Sequence, residues 1–423
     1  MPKRRFRVLA VGTHPVQYQV PVLRRMAARE DLDLQVAYCT LRGAEAAHDP
    51  EFGATVKWDI PLLDGYSWVH VPNRGSGAEN FFGLCNWGLR SLIRKGHFDA
   101  VLCYVSYTRA TFWISYFAAK ISRTAFLFGT DTVTLSPLDG KKWKRPVKRL
   151  AWPLLFRLAD QVIVPSSGTL DLMRSLGLPD DRVTLTPYVV DNDWWLARSA
   201  GVDRAAVRAS WGAQPEDTVI LFCAKLQPWK RPADLLRAFA KIKPAQGLLV
   251  YAGEGPLRAS LEAEATALGV AGHVRFLGFA NQTQLPAIYT GADLMVLPSM
   301  YDAFGVVVNE AMLCGCPVAA SDHVGAARDL IHHGRTGFVY PCGDIDALAA
   351  ILRQALENRA QLSAMGSAAR TRMESWSPRE NIDAAVEAIS RAVARVRHAA
   401  VASDKVPASP TDSAPSAAHK LSE

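Results

Sequence analysis

Two carboxylates eight residues apart, Asp302 and Glu310, lie in the run Pro298-Ser-Met-Tyr-Asp302-Ala-Phe-Gly305-Val-Val-Val-Asn-Glu310-Ala-Met-Leu-Cys-Gly315-Cys-Pro317. The apolar residues before it, 293–297, read as a strand, Asp302 as part of a loop, and Gly305 as the start of a helix over 305–314 that Gly315 and Pro317 end. A helix start presents unpaired N–H groups and the positive end of the helix dipole, a setting that suits a pyrophosphate. Ala303, Phe304, Gly305 and Val306 supply the backbone there. Glu310 follows ~7.5 Å further along at 1.5 Å per residue. A carboxylate at that depth can take the paired hydroxyls of a ribose. One at the mouth can hold sugar hydroxyls or a positive charge developing at an anomeric carbon. Near the start of the chain, Val11-Gly12-Thr13-His14-Pro15-Val-Gln17-Tyr18 directly follows another apolar run. Gly12 allows a phosphate close to the backbone, and His14 or Gln17 can face a second substrate.

The elements that would hold these residues alternate along the chain. Strands are predicted at 6–11, 33–38, 99–104, 125–128, 161–164, 218–223, 248–252, 274–277, 293–297 and 317–320. Helices are predicted at 17–29, 80–95, 108–121, 144–159, 231–242, 256–267, 305–314 and 344–357. Such alternation predicts βαβ units, parallel sheets and an α/β fold. The polar, Trp-rich stretch 187–211 separates five strands from five. Two doubly wound Rossmann-like domains therefore face each other across a cleft, with ligands at the carboxyl ends of the strands. The first domain spans 1–196 and is rejoined by a final helix at 377–397; the second spans 197–376. Residues 398–423, rich in Ala, Ser, Pro and Lys, read as a disordered tail.

The Asp302–Glu310 run resembles the E-x7-E signature of family 4 (group 1) retaining glycosyltransferases of the GT-B fold, written here as D-x7-E. The likeness continues through Ser321-Asp-His-Val-Gly325 and Gly334-Arg-Thr-Gly337-Phe338. Ala224-Lys225-Leu226-Gln-Pro-Trp-Lys230-Arg231 resembles the segment that clamps the donor diphosphate in that family, with Lys225 where Arg is commoner. Gly253-Glu254-Gly255-Pro256 resembles the glycine-rich turn beside the donor, and Val274-Arg-Phe276-Leu-Gly278-Phe279 the segment lining the nucleotide base. The H-P-x-Q-Y run at 14–18 is similar to the opening of some members. The resemblance implies that an activated sugar is transferred with retention, without a metal or other cofactor. A UDP- or GDP-linked hexose is the implied donor, and a glycan, lipid-linked or small-molecule hydroxyl the acceptor. It makes Lys225, Lys230 and Asp302 catalytic. Where many members carry a histidine, this chain has Phe128-Gly129-Thr130-Asp131-Thr132, so Asp131 is the catalytic candidate of the first domain and Thr130 an acceptor contact. Two other classes share the architecture: a nucleotide-sugar epimerase and a non-catalytic partner subunit.

Composition narrows the field. The 423 residues are 49% hydrophobic and 21% charged, which excludes overall disorder. Seven cysteines at irregular spacings do not form a disulfide framework, and Cys314-Gly-Cys316 reads as packing thiols. Asp31-Leu-Asp33 and Asp344-Ile-Asp346 read as turn or cap residues, not metal ligands. Lys3, Arg4 and Arg5 precede an apolar run too short for a signal peptide, and no stretch approaches ~18 uninterrupted apolar residues. The expected location is the cytoplasm. A net charge of +8 favours acidic partners, yet no nucleic-acid-binding module accompanies it. Residues 141–157 hold seven cations and no acid among Trp143, Trp152 and Phe156. They suit peripheral contact with an anionic membrane.

Overall fold

The computed structural model describes residues 5–49, 54–136 and 140–404. Two parallel sheets dominate it. The first has strands β1 (Phe6–Gly12), β2 (Leu32–Tyr38), β5 (Ser67–His70), β6 (Ala100–Cys103), β7 (Ala125–Gly129), β8 (Gln161–Val164) and β9 (Val183–Leu185), in the order β5-β2-β1-β6-β7-β8-β9. A small antiparallel pair, β3 (Ala47–Asp49) and β4 (Ala54–Val56), lies outside it. The second sheet has β10 (Thr218–Cys223), β11 (Gly247–Ala252), β12 (Val274–Gly278), β13 (Leu294–Leu297), β14 (Val318–Ser321) and β15 (Gly337–Tyr340), in the order β12-β11-β10-β13-β14-β15. This is the two-lobed α/β architecture of the GT-B fold.

Near-continuous apolar strands are buried on both faces, as parallel sheets require. Val8 and Ala10 of β1 point into one core and Leu9 and Val11 into the opposite one. Val219 and Leu221 of β10 likewise part from Ile220 and Phe222. Trp195 and Trp211, from the stretch between the sheets, pack into the core of the second. The last helix, Pro378–Asp404, returns to the first lobe, where Ile382, Ala385, Ile389 and Val393 close the rear of its sheet. It runs past 397, so residues 398–404 are helical and not tail; 405–423 lie outside the described residues.

Other differences from expectation have local causes. The 80–95 helix is a 3-10 turn, Phe81–Gly83, and a helix, Gly88–Gly96, because Asn73 holds the intervening chain through Cys85 N. Strands β3, β4, β5, β9 and β15 went unanticipated. Edge strand β5 is largely exposed and carries no apolar alternation, and β9 is only three residues long. In the basic helix Lys144–Arg157, Trp152 and Phe156 turn inward onto the sheet while Trp143 stays out. Asp344 caps the helix Ile345–Glu357, and Asp31 pairs with Arg29. All seven cysteines are free thiols. Among the described residues no helix is long and apolar enough to cross a membrane.

Candidate functional site

The carboxyl ends of β10, β11 and β13 open onto a cavity of about 560 Å³ between the lobes. Lys225, Lys230, Gly253, Asp302 and Glu310 all line it, joined by Gln17 and Tyr18 from the first lobe. The two loops carrying the lysines and Asp302 are tied together. Met300 N donates to Trp229 O at 2.7 Å, and Lys230 Nζ lies 2.5 Å from Asp302 Oδ2. Asp302 is held from behind by the 321–326 segment: Gly325 N donates to Asp302 O, and Ala326 N to Phe304 O at 2.7 Å. A side chain at Gly325 would run into Ala303 O at 2.3 Å.

The glycine turn has a definite task. Gly253 has φ +150°, and a Cβ there would lie 2.0 Å from Ala224 O. Its neighbour Glu254 accepts from Leu226 N through its backbone carbonyl. The turn thus packs against Lys225's own loop and fixes where that cation enters the cavity.

Glu310 sits nearer the mouth than the sequence implied. The helix spans Val307–Leu313, with Gly305 at φ +92° outside it, so Glu310 falls in its first turn, ~4.5 Å along. Tyr289 Oη donates to Glu310 Oε2 at 2.9 Å, and Gln282 also hydrogen-bonds the carboxyl. Burial nevertheless pushes the Glu310 pKa up to about 7.

Not every predicted residue reaches this cavity. Phe276 stacks on Tyr251 at 5.0 Å, and Glu254 pairs with Arg258. Phe304 is buried against Trp376, which leaves only its backbone near the loop. His14 bonds Thr13 Oγ1 at 3.0 Å. Gly12, Thr130 and Asp131 line a second, smaller cavity in the first lobe. Tyr18 borders both. Its ring meets Tyr188 edge-on at 5.7 Å, and Tyr188 Oη lies 3.5 Å from Asp131 Oδ2. Loss of water in the cleft raises the Asp131 pKa, and the Asp302 carboxylate across the cleft adds to it.

Three lining residues escaped sequence reasoning, Trp58, Gln282 and Tyr289, whereas Phe279 was legible at the end of the 274–279 segment. Trp58 comes from the first lobe and meets Phe279 of the second at 6.2 Å. Beside it Asn281 Nδ2 donates to Lys57 O at 2.8 Å, and Thr283 N to Asp59 Oδ1 at 3.2 Å. Tyr18 was legible, lying in the 14–18 run.

Residues 203–372 match the family model described as glycosyl transferases group 1, and residues 22–194 the one described as glycosyltransferase family 4. D-inositol 3-phosphate glycosyltransferase 2 of Catenulispora acidiphila is 31% identical over 380 residues, covering 79% of this chain and 82% of the relative. The D-inositol 3-phosphate glycosyltransferase of Rhodococcus opacus is 30% identical over 253 residues, 56% of either protein. Its Rhodococcus jostii counterpart is 29% identical, with 57% of its length matched, so the chain spans little more than half of these two. Among solved structures, Anabaena HepE in complex with UDP and glucose superimposes with TM-score 0.71 at 21% identity, covering 91% of this chain and all of that one (100%). A glycosyltransferase from Rickettsia africae gives TM-score 0.71 at 17% identity, covering 92% and 99%.

Proposed function

Since the chain belongs to the group 1 glycosyltransferases, we propose that it moves a hexose from a UDP- or GDP-linked donor to an acceptor hydroxyl, with retention at the anomeric carbon. The observation that carries this reading is the convergence of Lys225, Lys230, Asp302 and Glu310 on one interlobe cavity. Lys225, Lys230 and the backbone of 303–306 neutralise the donor diphosphate. Glu310 takes the ribose hydroxyls and Asp302 orients the hexose. Trp58 and Phe279, not Phe276, flank the base. As the anomeric C–O bond to the diphosphate breaks, the acceptor oxygen bonds to the same face of the carbon. Its proton passes to the departing diphosphate oxygen. Asp131 and Thr130 orient the acceptor from the first lobe. Preorganised charge around a leaving group in a dry cleft is worth several kcal/mol. The scheme draws that charge from lysines, without a metal. HepE has been solved with UDP-glucose, which favours the UDP-linked donor.

Calorimetric titration with a panel of UDP- and GDP-hexoses tests the donor assignment. Binding of one nucleotide family is expected, with Glu310→Gln weakening it about tenfold. Ionisation gives a second signature. Below pH 7 Glu310 is protonated and loses acceptor capacity; above it the carboxylate takes both ribose hydroxyls. Donor affinity should therefore rise from pH 6 to 8 in the wild type and stay flat in Glu310→Gln. Absence of nucleotide binding, or a flat wild-type profile, goes against the assignment.

The proposal includes a cytoplasmic enzyme resting on an anionic membrane through 141–157, by a different face from the one anticipated. Trp143, Val147, Leu150 and Leu154, spaced four, three and four residues apart, form one stripe, with Leu150 79% exposed. At ~100° per residue, Trp152 and Phe156 lie on the opposite side. Cations flank the stripe and no acid interrupts 141–157. Vesicles containing phosphatidylglycerol should carry the protein upward in flotation, and neutral vesicles should not. Leu150→Glu with Leu154→Glu should cut flotation at least about fivefold. Equal, negligible binding to both vesicles ends this part of the proposal.

A further inference from the structure

The second cavity, about 140 Å³, sits at the carboxyl ends of the first sheet, where β1, β2, β7 and β8 contribute residues and Tyr104 and Thr186 follow directly on β6 and β9. At the volume a water needs, it holds on the order of ten waters, room for one sugar-sized ring. Tyr18, Tyr38, Tyr104 and Tyr188 wall it, Thr130, Asp131, Gln19, Thr186 and Asn381 supply polar groups, and the remaining lining is mostly apolar. No Lys, Arg or His is among the described residues that line it. Asp131 is the single charged group among those described residues, and across the partition made by Tyr18 stands a second carboxylate, Asp302, whose charge Asp131 feels. The cations on that side are Lys225 and Lys230, and Lys230 is paired with Asp302.

We propose that this chamber selects an uncharged polyhydroxy acceptor, a neutral sugar or polyol, and turns away a phosphorylated one. A carboxylate is an acceptor-only group that takes hydroxyl hydrogens directly. Tyrosine faces cover the C–H side of a ring and their hydroxyls meet its edge. A phosphate monoester carries close to two negative charges and three acceptor oxygens. It finds no cation among the described lining residues to neutralise it, and Asp131 repels it. Discrimination by an unfavourable group is as effective as discrimination by a favourable one. Relatives of this chain are named for an inositol phosphate acceptor; the chamber sets this chain apart from that chemistry. The inference rests on the transferase reading, since it takes the chamber as the acceptor's place beside the donor.

Saturation-transfer NMR on the full chain, with UDP and GDP present, can compare matched ligands: glucose with glucose 6-phosphate, and myo-inositol with inositol 3-phosphate. The neutral member of each pair should bind about tenfold more tightly. Asp131→Asn should admit the phosphorylated members and narrow the gap to roughly threefold, while an unchanged melting temperature reports an intact fold. Phosphorylated members binding as well as or better than neutral ones in the wild type, or neither member binding, overturns the inference. Donor titration on the same sample tells the two failures apart. Nucleotide-sugar binding without a neutral preference removes only the acceptor class, whereas absence of donor binding removes the transferase reading with it.

Discussion

Replacing Lys230 with alanine should lower turnover about 10²–10³-fold while changing donor KM far less. The expectation follows from the proposed role of Lys230 at the leaving diphosphate. Lys230 ends the 3-10 turn Pro228–Lys230, Arg231 follows in the left-handed region at φ +51°, and the helix Pro232–Ile242 begins at once. That sharp reversal aims the ammonium into the cleft, where it is mostly buried and pairs with Asp302 at 2.5 Å. Before reaction the pair is internally neutral. As the glycosidic bond lengthens, negative charge grows on the diphosphate, and Lys230 can share its three donors between Asp302 and the leaving oxygen. An interaction that strengthens during bond breaking shows in kcat and little in KM. Lys230→Arg should recover only part of the loss, since a planar fork cannot divide itself like a rotating ammonium. Steady-state kinetics against donor concentration decide the matter: a rise in KM with kcat unchanged would make Lys230 a ground-state anchor only.

The second large effect is on folding. Gly253→Ala should lower the melting temperature by ~6–12 °C, from at least ~3 kcal/mol of strain and clash. The added Cβ would meet Ala224 O at 2.0 Å, a backbone atom that cannot rotate away, and alanine strongly resists φ +150°. Relief requires β10's exit loop and β11's exit turn to separate, which carries Lys225 off its station. Donor affinity should fall together with stability. Gly272→Ala is the control, because its Cβ meets nothing within 4 Å and its φ is not positive; its effect should stay within ~0.5 kcal/mol. Equal melting temperatures for the two variants would show that the contact relaxes without cost.

The contrast between these residues and others shows what spacing can reveal. Lys225, Lys230, Gly253 and Asp302 lie one to seven residues past a buried strand, and Glu310 in the first turn of the helix that follows one, so the periodicity that locates the strand locates the residue. Trp58, by contrast, lies on an irregular stretch of the first lobe and reaches the cavity only because Lys57 and Asp59 are bonded to Asn281 and Thr283. No local pattern encodes such a pairing. Phe276 and Phe279 look equivalent in sequence, yet β12 turns the first onto Tyr251, while the chain beyond Gly278, at φ +77°, carries the second into the cleft. The basic helix failed differently. It has two apolar stripes half a turn apart, and nothing within its own sequence says which one the sheet will take.

The return of the final helix to the first lobe imposes an order on the protein's birth. By the time β9 leaves the ribosome, all the strands of the first sheet have been made, but Val8, Ala10, Leu102 and Leu127 still await Ile389 and Val393. Those arrive roughly two hundred residues later, ~10–40 s at the usual ~5–20 residues per second. For that interval the nascent lobe carries a naked oily flank, a natural perch for a chaperone. The second lobe, whose core is assembled from one continuous stretch, can finish folding before the first-made half is sealed.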